Sequence, residues 1–393
     1  MKTVGIICEY NPFHLGHAGH IEKTKAAVGG DAFIICVMSG NFVQRGDFAV
    51  FNKHSRAKMA VLCGADVVIE LPTPYALLSA GGFAKAGVYL LDSLGVCDYL
   101  SFGSEQGSID CLKTAAQVIS SDEAQIYIKD GLSTGISYAA AQQQAADALL
   151  GEKASIFQTP NNTLAIEYIK ALDELNSKMK PITVFRTGGE HDSDIGYSAS
   201  ALRKAFLQGN IPITQMPGAA VAVCMEESLR GFGPVSIKNA EQGILSRLRG
   251  VEDFSQIPGG ADGLDRRFLR YAKTLPTVSL ITQSIKTKRF AMSRIRRMLM
   301  NSVLGIKNED IKNPPPYIRL LAMNQRGTEI LKKARKKTNL PIITKPASVY
   351  KQNKQAVRLF NLEAAATDFY ALAYDKAENR TGGGEWTHSP IVL

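Results

Sequence analysis

The segment that most constrains this chain is its amino terminus, which places a strand, a turn and a helix start in close succession. An apolar run at residues 4–8 predicts a buried strand, and Asn11-Pro12 predicts the turn that follows it. A helix then begins near His14 and His17, which flank Gly16. Because the first turn of a helix carries unpaired N–H groups and the positive end of the helix dipole, this order predicts a phosphate site.

The side chains of this segment suit a phosphate ligand. Gly16 lets a ligand approach the backbone, and the two imidazoles can hydrogen-bond phosphoryl oxygens. Ordinary surface histidines at a helix start are the alternative. His14, His17 and His20 are spaced by three residues, which distributes them around a helix axis, and no cysteine pair with zinc-finger spacing accompanies them. We therefore expect no protein-bound metal site, and we expect Mg²⁺ to be held mainly by nucleotide phosphates.

Strand and helix patterns alternate from residue 1 to about residue 205, which predicts an α/β fold with a Rossmann-like parallel sheet covered on both faces. The predicted strands are Val4–Cys8, Phe33–Met38, Val67–Leu71, Tyr99–Phe102 and Ile182–Phe185. The predicted helices are His17–Val28, Lys53–Cys63, Leu78–Ser93, Ile109–Ser120, Ile136–Leu150 and Thr163–Leu175.

Candidate site residues follow the ends of these strands, and ligands of a parallel sheet bind at the carboxyl ends of its strands. The segments concerned are Tyr10 to His17, Ser39 to Arg45, Gly103 to Glu105, and Arg186 with Thr187. We expect these segments to meet in one active site. Two residues near the start of the following helix, Lys53 and Arg56, are candidates for holding an acidic substrate or pyrophosphate.

A second motif, from Ser198 to Arg203, opens a helix after the loop at residues 188–197. Hydroxyl groups at a helix start either cap its N–H groups or hold a phosphate beside an arginine. With the H-x-G-H order of His14, Gly16 and His17, this segment resembles the H-x-G-H superfamily, in which a Ser/Thr-rich helix start closes on the triphosphate from the opposite side. The resemblance implies that Ser198, Ser200 and Arg203 hold the β- and γ-phosphates. A simple helix cap with a solvated arginine is the alternative.

The character of the chain changes after about residue 210, where helical patterns dominate and basic residues are concentrated. We divide it into a catalytic domain at 1–210 and a mainly α-helical domain at 211–393, with the boundary between 205 and 235. Six basic residues without an acidic residue between them predict an RNA-binding face: Lys286, Lys288, Arg289, Arg294, Arg296 and Arg297.

Other residues of this half extend the prediction of RNA binding. Further basic positions are Arg266, Arg267, Arg270, Arg319 and the run at 332–337, although that run alone is typical of a solvated charged surface. Phe290, Tyr271 and Tyr317 are candidates for stacking on unpaired bases.

Bulk composition sets the class of protein and of partner. The formal net charge of +10 over 393 residues favours a polyanionic partner. No apolar run reaches the length of a membrane span, and the chain begins directly with a strand rather than a signal peptide. The six cysteines are scattered, several of them inside apolar runs, as in a protein with reduced thiols. These features predict a cytoplasmic protein that does not contact a membrane.

Taken together, the motifs resemble the tRNA(Met) cytidine acetate ligase family, within the H-x-G-H nucleotidyltransferase superfamily. The segments that carry the likeness are Gly5 to His14, Ser39 to Gly46, Gly64 to Pro72, Phe102 to Glu105, Ser198 to Arg203, Lys286 to Arg297 and Pro316 to Arg319. The Lys-Met-Ser-Lys-Ser motif of the related aminoacyl-tRNA synthetases is absent. Leu15, Gly81 and the stretch at 262–266 depart from the family pattern without touching the histidine pair.

The resemblance implies ATP-dependent activation of acetate to acetyl-adenylate with release of pyrophosphate. The acetyl group is then transferred to N4 of the wobble cytidine of elongator tRNA(Met), and AMP is released. By the same likeness, His14 and His17 stabilise the charge on the α-phosphate. The residues implied to contact ATP are Ile7, Cys8, Glu9, Tyr10, Asn11, Pro12, Phe13, His14, Gly16, His17, His20, Gly103, Asn162, Arg186 and Thr187.

Two other functions remain open at this point. A small-molecule adenylyltransferase of cofactor biosynthesis shares both phosphate motifs, but such enzymes rarely need a large basic helical half. A non-catalytic RNA-binding protein with an ancestral nucleotide pocket would not need its histidine pair. Neither the mode of selecting one tRNA nor the oligomeric state follows from the sequence.

Overall fold

The computed structural model describes residues 1–186 and 199–393, and within these ranges one sheet joins both ends of the chain. Its strands, with those of a short hairpin, are β1 (Lys2–Cys8), β2 (Ala32–Ser39), β3 (Phe42–Val43), β4 (Asp47–Phe48), β5 (Val67–Leu71), β6 (Tyr99–Ser104), β7 (Lys180–Phe185), β8 (Ile318–Met323), β9 (Ile342–Ile343) and β10 (Ile391–Val392).

The order of the sheet is β10-β8-β5-β2-β1-β6-β7, with β9 paired to β8. The five strands from the amino-terminal half run parallel to one another, whereas β8 is antiparallel to β5. Every residue of β2 and β5 is buried, as expected for central strands covered on both faces. The predicted α/β fold with its parallel sheet is therefore confirmed, and each predicted strand lies within an observed one.

Helices cover both faces of this sheet. In chain order they are α1 (Leu15–Ala27), α2 (Lys53–Leu62), α3 (Thr73–Ala76), α4 (Ala80–Ser93), α5 (Ile109–Ser120), α6 (Asp122–Ser133), α7 (Tyr138–Leu150), α8 (Pro160–Glu174), α9 (Ala199–Leu207), α10 (Gly218–Arg230), α11 (Glu241–Arg249), α12 (Leu264–Ala272), α13 (Val278–Ile285), α14 (Met292–Leu304), α15 (Gln325–Ala334), α16 (Lys354–Ala371) and α17 (Gly384–Thr387). All six predicted helices are confirmed, with ends that shift by up to three residues. Sequence reasoning missed α6.

The carboxy-terminal half is mainly helical, as expected, but it also completes the sheet. Helices α11 to α14 enclose a separate apolar core that includes Leu248, Phe268 and Met298. Further along, β8, β9 and β10 add three strands beside β5. The expectation that strand signals fade after residue 210 was wrong for 318–323, because a short buried run has too few residues to show a period. Strands from both sides of residue 210 in the sequence therefore belong to the same sheet. The division of the chain into two domains stays a prediction.

None of the helices that the structure describes is long and apolar enough to cross a membrane.

Candidate active site

The loop after β1 carries the first motif to the carboxyl edge of the sheet. Tyr10 adopts a left-handed backbone conformation with φ of 45°, and its buried ring packs edge-on against Phe13 and His17. The Asn11 side chain accepts a hydrogen bond from the Val50 N–H at 2.8 Å. These contacts hold the loop in one shape before any ligand binds.

The two histidines share one arrangement of hydrogen bonds. His14 is the N-cap of α1, and its Nδ1 accepts the Gly16 N–H at 3.1 Å. The Nδ1 of His17 accepts the His14 N–H at 3.3 Å, and the two rings stack with centroids 3.7 Å apart. Since each Nδ1 is an acceptor, the proton of each neutral ring resides on Nε2. Each Nε2–H therefore remains a donor for an anionic ligand.

Both imidazoles are neutral at physiological pH. Burial, together with the positive charges of Arg186 and Arg203, lowers the pKa of His14 to about 4. Burial and the neighbouring His14 hold the pKa of His17 well below its usual range. The pair can therefore act on an anionic ligand only through oriented N–H dipoles rather than through charge, and Arg186 and Arg203 supply positive charge nearby.

His20 lies one turn further along α1 and is fixed by the neighbouring strand. Its Nε2 lies 3.0 Å from the Ser101 hydroxyl on β6, which in turn lies 2.7 Å from the Thr24 hydroxyl. Burial followed by the charge of Arg186 lowers the pKa of His20 to about 4. Sequence reasoning missed Ser101, because nothing in the sequence shows which residue of a neighbouring strand faces a helix.

The ends of β6 and β7 form the opposite side of the site. The Arg186 side chain lies directly over Gly103, where any Cβ would collide with it. Its Nη1 donates to the side-chain oxygen of Asn161 at 3.5 Å. Glu105 accepts hydrogen bonds from the Asn161 amide at 2.7 Å and from the Asn162 backbone N–H at 2.9 Å. Gly103, Asn162 and Arg186 are therefore brought to one side of the site. Their contact with ATP stays a prediction.

The second motif also meets the first. Helix α9 begins at Ala199, and Arg203 Nη1 donates to the Asn11 carbonyl at 2.9 Å. Ser200 is exposed near the start of α9. The predictions for Ser198 and Thr187 lie outside the described residues.

Arg56 is a structural residue rather than a ligand for an acidic substrate. Its guanidinium is fully buried and donates to four backbone carbonyls. These carbonyls belong to Glu9, Ser39, Gly40 and Phe51. Arg56 thereby links the loop after β1 to the loop after β2, and the expectation that it contacts an acidic substrate was wrong.

Lys53 is likewise enclosed. Its ammonium lies 2.7 Å from Glu70 and 2.6 Å from Glu385, all three side chains being nearly or fully shielded from solvent. The expectation that it orients acetate or pyrophosphate was wrong, because the ammonium is shielded from solvent and already paired with two carboxylates.

Comparison with known proteins agrees with this geometry. A family model described as "HIGH Nucleotidyl Transferase" matches residues 1–384. The crystal structure of Thermotoga maritima TmcAL bound with alpha-thio ATP superposes with a TM-score of 0.92 at 33% identity, over 100% of both chains. The apo form of that protein superposes with a TM-score of 0.93 at 33% identity, also over 100% of both chains.

Relatives named tRNA(Met) cytidine acetate ligase match along nearly their full length. The Acetivibrio thermocellus protein is 35% identical over 100% of both chains. The Thermosipho africanus protein is 36% identical over 100% of both chains, and the Caldicellulosiruptor saccharolyticus protein is 38% identical over 95% of this chain and 94% of its own. The chain belongs to the tRNA(Met) cytidine acetate ligase family. The resemblance inferred from the motifs is confirmed.

The six basic residues of the predicted RNA-binding face differ in how exposed they are in this member of the tRNA(Met) cytidine acetate ligase family. Lys286, Lys288, Arg289 and Arg296 are exposed. The half-buried Arg294 instead binds the backbone carbonyls of Gly259 and Ala261 and the Asp262 carboxylate. Arg297 is half-buried beside it. We call these six residues the basic face. Their role in RNA binding stays a prediction.

Three other positions expected to contact RNA are enclosed instead. Phe290 and Tyr317 lie in apolar packing with relative exposures of 5% and 1%, so the expectation that they stack on bases was wrong. Arg319 is fully buried beside Glu385 and cannot contact a phosphate backbone. Tyr271 is half-buried, with the guanidinium groups of Arg267 and Arg270 over its ring. Its stacking on RNA stays a prediction.

The β3–β4 hairpin joins the basic face to the active site of this ligase-family protein. Its aromatic residues Phe42 and Phe48 belong to the apolar core of the carboxy-terminal helices. On its other side, the Gln44 N–H donates to the Glu9 carboxylate at 2.6 Å. The hairpin is therefore anchored both in the helical half and in the loop after β1.

Gly46 at the turn of this hairpin touches α14 directly. It has a φ of +73°, and a Cβ built there would collide with the backbone at Arg296 and Arg297. Only glycine combines this backbone conformation with so close an approach. Sequence reasoning placed the loop near the nucleotide but missed its contact with the basic face, since the contact joins distant parts of the chain.

Proposed function

We propose that this protein activates acetate with ATP and transfers the acetyl group to N4 of the wobble cytidine of elongator tRNA(Met). Membership of the tRNA(Met) cytidine acetate ligase family supports the overall reaction. The single structural observation that supports it most is the pair of neutral imidazoles whose Nε2–H groups remain as donors at a helix start. AMP and pyrophosphate are the products of the two steps.

In the first step, an acetate oxygen attacks the α-phosphorus of ATP and pyrophosphate leaves. The Nε2–H groups of His14 and His17 donate to the α-phosphate oxygens, which carry more charge in the transition state than in the bound substrate. Arg186 and Arg203 flank the pair and offset the charge of the triphosphate. Ser200 near the start of α9 is proposed to hold the β- and γ-phosphates with Arg203 and with Ser198 of the same motif. Thr187 is proposed as a further contact to ATP.

Contacts with the rest of the nucleotide follow from the loop positions. The backbone from Ile7 to Phe13 lines the α-phosphate and ribose, and Gly103 offers a surface without a side chain on which the nucleoside lies. Asn162, held through Glu105 and Gln106, fixes the loop beside Gly103. His20 completes this wall through Ser101.

Mg²⁺ accompanies the nucleotide in this proposal. No group of three or more His, Cys, Asp or Glu side chains placed to hold a metal occurs within 1–186 and 199–393. The donors nearest the phosphates are imidazole N–H and guanidinium groups, which suit phosphate rather than Mg²⁺. The triphosphate and water would supply the ligands, and the bound ion would neutralise the leaving pyrophosphate.

In the second step, the tRNA lies along the basic face, and the hairpin is the element between that face and the adenylate. Exposed cations such as Lys288 and Arg296 neutralise phosphates of the anticodon arm. The target cytidine must leave the anticodon stack to reach the acetyl group.

Mass spectrometry of nucleosides tests this function. Wild-type protein incubated with tRNA, ATP and isotopically labelled acetate should produce labelled N4-acetylcytidine, and pyrophosphate release should require acetate. The His14→Ala and His17→Ala variants should each lose about 10²–10³-fold in the rate of pyrophosphate release, the size of effect seen on removing a transition-state donor. His388→Ala, which alters an exposed histidine outside the site, is the matched control.

Two results would contradict the proposal. Pyrophosphate release with a phosphorylated cofactor precursor, and none with acetate plus tRNA, would indicate a small-molecule adenylyltransferase. Unchanged acetylation in both histidine variants would remove the phosphate-binding role of the pair.

A further inference from the structure

Asp47 occupies the point where the active site and the basic face meet. It lies on β4, opposite Val43 of β3, and its side chain is half-buried. One carboxylate oxygen, Oδ1, accepts the Phe48 N–H at 2.8 Å. The other, Oδ2, has no hydrogen-bond donor among the residues that the structure describes. One oxygen therefore orients the carboxylate, and the other remains an acceptor.

Two arginines from different elements face this carboxylate. Arg203 of α9 is bound to the Asn11 carbonyl, three residues before His14. Arg296 belongs to α14, whose backbone touches Gly46 next to Asp47. Both guanidinium groups act electrostatically on the Asp47 carboxylate. Asp47 therefore interacts electrostatically both with a residue of the nucleotide site and with a residue of the basic face.

The hairpin holds Asp47 at this junction. Phe48, the next residue, stacks on Tyr370 with ring centroids 5.7 Å apart, and the hydroxyl of Tyr370 donates to the Ala49 carbonyl at 2.7 Å. On the opposite side, Gln44 is bound to Glu9. Because the hairpin is held on both sides, the Asp47 carboxylate keeps its position when a ligand binds. A group that acts on a substrate needs such a fixed position.

We propose that Asp47 recognises the target cytosine by accepting a hydrogen bond from its N4 amine and receives the N4 proton during acetyl transfer. This inference rests on the proposed function. A carboxylate is the side chain that pairs with the exocyclic amine of cytosine. Uracil presents a carbonyl oxygen at the same position, which a carboxylate repels, so the same contact selects cytidine over uridine.

The chemistry of the transfer step needs such an acceptor. The N4 lone pair forms a bond to the carbonyl carbon of acetyl-adenylate, and the bond from that carbon to the phosphate oxygen breaks. AMP leaves with the bonding electrons. The nitrogen then carries one proton too many, and Oδ2 of Asp47 accepts it and later releases it to water. Overall, the N4 amine and acetyl-adenylate react to give the acetylated amine, AMP and one proton.

The surroundings of Asp47 strengthen it as a proton acceptor. Burial raises the pKa of Asp47, while the Phe48 N–H, Arg296 and Arg203 oppose this rise. The charged groups that face it are Arg296 from α14 and Arg203 from α9, and β3 presents the apolar Val43. Because the ionised form is the one that accepts the proton, the rate of acetyl transfer should increase as pH rises through this pKa.

Asp47→Asn separates the two steps of the reaction. Acetate-dependent exchange of pyrophosphate into ATP, measured without tRNA, should stay within about twofold of wild type, which also shows that the variant is folded. Single-turnover transfer from preformed acetyl-adenylate to tRNA should fall by about 10²-fold or more, the usual contribution of a positioned base. The kcat for tRNA acetylation should fall far more than KM rises, and the rise in rate with pH should disappear. Asp47→Glu should restore part of the transfer rate.

Asp98→Asn is the matched control. The Asp98 carboxylate also accepts a backbone N–H, from Thr3 at 2.9 Å. It directly precedes β6, however, and so lies at the amino ends of the parallel strands, away from the active site. Wild-type transfer in Asp47→Asn, or an equal loss of exchange and transfer, would overturn the inference and leave the proposed function standing. Absence of acetate-dependent exchange in the wild type would overturn the proposed function and this inference with it.

Discussion

The ammonium of Lys53 lies 2.6 Å from a carboxylate oxygen of Glu385, with both side chains almost completely shielded from solvent. Lys53 is the first residue of α2, next to the loops of the active site, whereas Glu385 belongs to the short helix α17 near the end of the chain. Lys53 also contacts Glu70 at 2.7 Å. Through Lys53, the carboxy-terminal Glu385 is therefore connected by buried ion pairs to Glu70 in β5 of the central sheet.

Lys53→Met should destabilise the protein strongly. Burial opposes the shift, but Lys53, His54 and Arg319 together lower the pKa of Glu385 to about 2. Removing the ammonium leaves the buried Glu70 without its ion-pair partner and leaves Glu385 with Arg319 alone. The free energy of unfolding, measured by urea denaturation, should fall by about 3–5 kcal/mol. The control is Lys85→Met, which breaks an exposed pair with Glu174 and should change stability little. Equal small losses in both variants would contradict the structural role of Lys53.

His20 should make stability depend on pH. Its pKa in the folded protein is about 4, below the ordinary value of 6.5, because of burial and then Arg186. The unfolded chain therefore binds a proton that the folded protein does not, and the stability present above pH 6.5 is lost as pH falls towards 4. Between pH 7.5 and pH 5, this group should account for about 1–2 kcal/mol of the loss. Urea denaturation of His20→Asn at both pH values should show a correspondingly smaller difference than wild type, and an identical difference would exclude the effect.

Gly46→Ala should impair tRNA acetylation more than nucleotide activation. The added methyl group would push the hairpin away from α14 at Arg296 and Arg297. We expect acetylation of tRNA to fall about 10–100-fold, since small misplacements of reacting groups have effects of this size. Acetate-dependent pyrophosphate exchange should decrease less. Gly305→Ala shares nearly the same backbone angle, φ of +69° against +73°, but meets no atom within 4 Å, so it controls for backbone strain. Equal effects in the two variants would show that the contact with α14 is unimportant.

Arg296→Gln should weaken tRNA binding at low salt. Its side chain is exposed, and no hydrogen bond or ion pair to it is found in the part of the chain that the structure describes. Loss of one phosphate contact should reduce the slope of log affinity against log salt concentration by about one, with ATP affinity unchanged. Arg294→Gln is the comparison, because Arg294 is already bound to Gly259, Ala261 and Asp262. If Arg294→Gln reduced the slope of log affinity against log salt concentration more than Arg296→Gln did, Arg294 rather than Arg296 would be the residue that contacts a phosphate.

Local pattern was sufficient for the amino-terminal half. Apolar runs such as residues 33–38 are long enough and sharply enough bounded to identify a strand, and the segment around His14 identifies a helix start by its own chemistry. The same reasoning failed at β8, where a short buried strand follows a proline-rich stretch and pairs with β5 from the other end of the chain. Pairing between distant segments leaves no local periodicity.

Charge and aromaticity in the sequence did not distinguish surface from interior. Arg319, Phe290 and Tyr317 have the same chemistry as residues that contact RNA, yet all three are buried. Lys53 and Arg56 are likewise buried, and they bind carboxylates and backbone carbonyls of the protein rather than a substrate. A side chain's partners depend on the packing of elements that the sequence does not place relative to one another.

By itself, the sequence determined the parallel-sheet class, the helix start at His14 and the family, because each depends on residues that are adjacent or regularly spaced. Tertiary structure alone decided that Nδ1 of each histidine is an acceptor, that Lys53 is enclosed by Glu70 and Glu385, and that Gly46 brings Asp47 to α14. The physical reason is that hydrogen bonds, ion pairs and close backbone contacts act over a few ångströms in space, whatever the separation along the chain.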